Sequence, residues 1–148
     1  MQVLFEKNFL FDIQGGIAGS DGVFIGSDLN TAGGIICLKL KENFCQNVGI
    51  SYFIRATGLV CMNAEVLRNS AAVGPNVGFT IASFNNSRLC LTLQENYSEL
   101  GYNLAQVTPS QFRLAPPINN IGLPFTQTST IQNVASCAGI CLCNSCPN

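Results

Sequence analysis

Arg88-Leu-Cys-Leu-Thr-Leu-Gln94 is the stretch from which the fold is read. Leu89, Leu91 and Leu93 alternate with Arg88, Cys90, Thr92 and Gln94, the period-two pattern of a strand with one buried face. The alternation recurs on both sides. Upstream, 35–40 sets Ile36, Leu38 and Leu40 against Ile35, Cys37 and Lys39, and 48–55 turns Val48, Ile50, Tyr52 and Ile54 inward. Val60, Met62, Ala64 and Val66 do the same over 59–66, as do Val77, Phe79 and Ile81 over 77–84. A short strand is expected at 23–25, and a last one over 102–107, resuming at 111–114. At the beginning, Val3, Phe5, Phe9, Phe11 and Ile13 share one face of a single long strand, with Lys7 as the exception. Turn clusters at 14–22, 30–34 and 85–87 separate these runs, residues 96–100 read as one turn of helix, and no internal repeat is seen. About eight strands between turn signals are the pattern of a sandwich, a jelly roll or a barrel.

Composition narrows the function. Only 10% of the 148 residues are charged, against about 25% in ordinary domains. So bare a surface implies that part of it is covered by other copies. Seven Lys and Arg residues are scattered through a chain of net charge −1, without the basic cluster that nucleic acid requires. No run is long and apolar enough for a membrane span, and Glu6 and Lys7 interrupt any leader-like start.

Catalytic sets are not found. With no histidine, Ser–His–Asp and Cys–His arrangements are impossible, and the commonest general base is missing. Glu95 and Glu99 read as a solvated loop. Asp21 and Asp28 lie in Gly/Ser-rich turns without calcium-loop spacing. Gly15, Gly16 and Gly19 form no phosphate-binding motif, so no enzyme and no cofactor is expected.

Cysteine carries the remaining chemistry. Four of the eight lie in the last stretch, Cys137-Ala-Gly-Ile-Cys141-Leu-Cys143-Asn-Ser-Cys146. Cys37, Cys61 and Cys90 fall on the more polar side of their strands, unusual for a residue that prefers interiors, and Cys45 reads as loop-borne. Four body thiols and four tail thiols suit cross-bonding. The tail spacing also permits a four-thiolate metal or redox site at Cys137, Cys141, Cys143 and Cys146, but such sites prefer separated pairs on a folded scaffold. The alternative is that the body cysteines are buried and inert. From Ala115 the chain is uncharged and rich in Pro, Asn, Thr and Ser, so 1–114 reads as a body and 115–148 as an extended arm. The arm's sparse apolar residues suit either an edge strand on its own body or one added to a neighbour.

A β-rich body, no evident leader and a thiol-tipped tail resemble the cysteine-rich structural proteins of the bacterial spore surface, including endospore appendage subunits. The resemblance implies a jelly-roll body with a flexible arm joined covalently to neighbouring subunits. In those subunits, however, the arm is N-terminal. The expectation is therefore an all-β, jelly-roll-like antiparallel sandwich with a C-terminal cysteine-rich arm. It would be a self-assembling subunit of an extracellular or spore-surface fibre or layer. Cys137, Cys141, Cys143 and Cys146 would lock to Cys37, Cys45, Cys61 or Cys90 of other copies. The alternatives are the metal or redox module and a viral coat or carbohydrate-binding jelly roll.

Overall fold

The computed structural model describes residues 1–11, 21–27, 33–73 and 76–143. Ile13, Asp28, Cys146 and most of the first two turn clusters lie outside them. The chain is all-β, but the expected antiparallel jelly roll is overturned. Every pairing among the described strands is parallel, and each strand pairs with its counterpart about one course earlier or later in the chain. The result is a β-solenoid of about four turns.

The first course comprises β1 (Gln2–Glu6), β2 (Phe9–Phe11) and β3 (Asp21–Gly26). The second has β4 (Gly34–Lys41), β5 (Phe44–Gln46) and β6 (Ile50–Ala56), and the third β7 (Val60–Leu67), β8 (Ser70–Ala72) and β9 (Phe79–Ser83). The fourth has β10 (Arg88–Gln94), β11 (Tyr97–Ser98) and β12 (Tyr102–Gln106). A partial course follows with β13 (Gln111–Leu114) and β14 (Phe125–Gln127), and β15 (Gln132–Asn133) is laid on β13. A long face stacks β1-β4-β7-β10-β13-β15, a short face β2-β5-β8-β11, and a third face β3-β6-β9-β12-β14.

Register makes the core a set of columns. Leu38, Ala64, Leu91 and Leu114 stand in one, and Leu40, Val66 and Leu93 in the next, all at most 1% exposed. From the third face Tyr52, Phe79, Tyr102 and Phe125 stack with ring centroids 4.6, 5.0 and 5.4 Å apart. That spacing is close to the strand repeat, so each ring covers the next. Each fully buried Leu, Val or Phe in these columns contributes about 1.5–3 kcal/mol relative to leaving it exposed.

The corner between the long and short faces holds the courses in register. Asn8, Asn43, Asn69, Asn96 and Asn120 occupy equivalent places there. Each Nδ2 from Asn8 to Asn96 donates to the Oδ1 of the next, at 3.0, 2.8, 3.1 and 2.9 Å. The same Oδ1 atoms accept the backbone N–H of the preceding asparagine. Before each asparagine stands a residue in the left-handed region: Lys7, Glu42, Arg68, Glu95 and Asn119, at φ 55°, 56°, 52°, 55° and 52°. A side chain there costs about 1–2 kcal/mol per residue, and the paired amides below offset it. The outer charges alternate along the column, Arg68 lying 2.6 Å from Glu42 and 3.9 Å from Glu95.

This corner explains several departures from the sequence reading. The left-handed residue resets the alternation. Val3 and Phe5 therefore pack on the core, while Phe9 and Phe11 face out, 71% and 52% exposed. The first strand is two strands. Cys45 belongs to β5 and is buried, not loop-borne. Residues 96–100 contain β11, not a helical turn. A repeat is present after all. From Ala115 to Asn133 the chain stays on the solenoid: Ile118 bridges to Gln94 and Ile121 to Tyr97, and β14 and β15 pair with this chain's own strands.

Candidate functional site

Outward-facing side chains of the long face build the first feature. In register, Cys37 and Cys90 both lie beside Asn63, while Cys61 lies beside Ile35 and Arg88. The three thiols thus form a staggered row on three consecutive strands. The tail descends across them and bonds each in turn: Cys137 to Cys90, Cys141 to Cys61 and Cys143 to Cys37, with Cα–Cα distances of 5.6, 5.3 and 5.9 Å. A short 3₁₀ turn, Ile140–Leu142, carries Cys141, and Asn63 Nδ2 donates to Cys137 O. Val134, Ile140 and Ala115 pack around the Cys90–Cys137 bridge. Under this strap Cys37, Cys61 and Cys90 are at most 6% exposed.

The three body thiols singled out for lying on the polar side of their strands are therefore the ones the tail reaches. The six sulfurs are joined within one chain, so they are not carried forward as links between chains or as metal ligands. Cys45 is a free thiol buried beside Tyr52 and the Ser51 carbonyl; desolvation pushes it up to about 11. Burial also raises Tyr52, whose hydroxyl donates to Ser70 O. Among the described residues no three metal-ligating side chains cluster, and Cys146 lies outside those residues. Three disulfides suggest oxidising, extracellular-type surroundings. No described helix is long and apolar enough to cross a membrane.

The second feature is the pair of solenoid ends. Among the described residues no strand covers the outer edges of β1, β2 and β3. Met1, Leu4, Phe9, Phe11 and Phe24 are exposed there. At the other end Ile118, Ile121 and Leu123 are 48%, 64% and 80% exposed. The asparagine ladder has a direction, so its ends differ chemically. Asn8 Oδ1 receives no donor among the described residues. Among the described residues Asn120 Nδ2 reaches only Leu93 O, and its backbone N–H has no acceptor.

The exposed ends could have been sought in the sequence through the recurring pair of a charged or polar residue followed by asparagine. That pair occurs at the ladder positions 7–8, 42–43, 68–69, 95–96 and 119–120, and also away from the ladder at 46–47, 85–86 and 132–133. Comparison with protein-family models, curated proteins and solved structures finds no match to this chain, so the fold and the two features just described stand on its own geometry.

Proposed function

We propose that this protein is a self-assembling structural subunit that stacks end to end with other copies into an extracellular fibre or layer. The complementary ends of the asparagine ladder carry the reading. One end presents an acceptor at Asn8, and the other presents the spare donors of Asn120. A second copy laid head to tail would continue the ladder, whereas head-to-head contact would oppose like groups. The outer column would run Glu95, Asn119 and then Lys7 of the next copy, bringing no like charges together. Open strand edges are templates for further pairing, and a head-to-tail contact that does not close yields filaments. The internal strap supports the same use, because disulfides restrict unfolding and make a subunit persistent. The spore-surface setting rests on the cysteine layout alone.

The test uses backbone chemistry. Met1 O accepts from Cys37 N–H and Lys7 N–H donates to Lys41 O, so the odd residues of β1 bond to β4. By alternation the N–H of Leu4 points to the open edge. Leu4→Pro removes a donor that no described strand of the same chain uses. Electron microscopy and sedimentation of the oxidised wild type should show filaments that lengthen with concentration, and Leu4→Pro should remain a folded monomer. Wild type monomeric at all concentrations, or Leu4→Pro filaments indistinguishable from it, would reject the proposal.

A further inference from the structure

Five of the seven basic residues are engaged. Lys7, Lys39, Lys41 and Arg68 each lie within 4.0 Å of a carboxylate, and Arg55 lies over the Phe24 ring at 5.3 Å. Arg88 and Arg113 have no acidic partner among the described residues. They stand on neighbouring strands of the long face, Arg88 opposite Gln111 and Arg113 opposite Cys90. Both line one open recess of about 300 Å³ beside the strap, walled by Ile35, Ile140 and the Cys61–Cys141 bridge, with Arg88 exposed and Arg113 half-buried.

We infer that this recess binds a small organic oxoanion, a carboxylate or sulfate head on a short apolar body. Two guanidinium groups without acidic partners on one recess leave a positive potential there, which draws an anion. The planar fork of arginine matches the paired oxygens of such heads, which a lone ammonium does not. The isoleucine and disulfide walls suit a carbon body instead of a bare ion, and the volume reaches the lower range of small-molecule sites. One wall is Gly139–Cys141, which the disulfide holds in place, so binding is tied to the oxidised state. This inference stands apart from end-to-end stacking, since neither solenoid end contributes to the recess.

Titration calorimetry on the oxidised full chain tests it with benzoate, phenyl sulfate and, as the neutral counterpart, benzyl alcohol. At least one anion should bind saturably at one per chain and at least tenfold more tightly than benzyl alcohol. Benzoate and phenyl sulfate separate the two head groups. Arg88→Gln and Arg113→Gln should each weaken binding at least tenfold, and reduction of the bridges with a phosphine should abolish it. The variants are read only with three bridges confirmed by mass; should the glutamine variants fail to fold, Arg88→Lys/Arg113→Lys keeps the charge, loses the fork and should still weaken binding severalfold. Silence of both anions, equal binding of benzyl alcohol, or full binding by a folded double variant would overturn the inference.

Discussion

Replacing Asn69 by alanine should remove one interior rung of the ladder and expose its energetic weight. Its side chain is 1% exposed and makes five hydrogen bonds. It accepts from Asn43 N–H and Nδ2 at 3.1 and 2.8 Å, and donates to Leu40 O, Leu67 O and Asn96 Oδ1 at 3.0, 3.1 and 3.1 Å. Some partners survive the loss. Asn96 Oδ1 keeps the Asn69 backbone N–H, and Leu67 O keeps Glu42 N–H. The Asn43 N–H and one Asn43 amide proton are left without a partner, while Leu40 O keeps the ladder bond of the β4–β7 pair. Each buried group left unsatisfied costs about 1–3 kcal/mol, and a water in the vacated space recovers part. The expected loss is about 2–5 kcal/mol, a large share of the 5–15 kcal/mol typical of a domain. Asn8→Ala, at the half-buried end, forfeits only bonds to Glu6 O and Asn43 Oδ1 and should cost about 1 kcal/mol. Urea unfolding of the oxidised monomer measures both. Asn69→Asp should be worse than alanine at pH 7. It cannot donate to the carbonyls, and a carboxyl whose folded pKa is raised loses its stability contribution as pH rises, so acid should partly restore it. Equal losses for Asn69→Ala and Asn8→Ala, or less than about 1 kcal/mol for the former, would refute the ladder's role.

The bridges are concentric, with separations of 106, 80 and 47 residues. With the other two bridges closed, the shortest loop that Cys61–Cys141 adds is the 26 residues by which 106 exceeds 80. Cys61→Ser/Cys141→Ser should therefore cost about 3.5 kcal/mol of unfolding free energy, less than its full loop implies. Lys41 beside Glu6 and Arg68 beside Glu42 hold both carboxyls below their usual range. Groups with depressed folded pKa contribute stability above their unfolded pKa and lose it as pH falls through the folded value. The urea midpoint should thus drop on acidification below pH 4 or so, and the drop should shrink in Glu6→Gln/Glu42→Gln. Cys45, raised by burial to about 11, should resist iodoacetamide at pH 8 until the chain unfolds. Its raised value also means stability present below the unfolded thiol pKa and lost as pH climbs toward 11, which Cys45→Ala should remove.

Much of the core was legible because alternation is a local property. Leu89, Leu91 and Leu93, and likewise Met62, Ala64 and Val66, point inward as their spacing required. The polar-side placement of Cys37, Cys61 and Cys90 was legible for the same reason. Cys45 and the Phe9–Phe11 pair were misread because a left-handed residue intervenes at Glu42 and Lys7, shifting side-chain parity by one. Composition hid the repeat. Successive ladder asparagines are 35, 26, 27 and 24 residues apart, and only the corner residues recur.

By itself the sequence determined that this protein is built of strands, which side chains most of the long strands bury, and that tail sulfurs have body sulfurs to meet. Side-chain alternation has the same period in parallel and antiparallel pairing, so strand direction was not contained in it. Only the tertiary structure decided that the strands coil in one sense, that the amides line up into a polar ladder, and that the tail lies within bonding distance of its own long face. Those outcomes depend on which residues distant in the chain become neighbours, and no local pattern holds that distance.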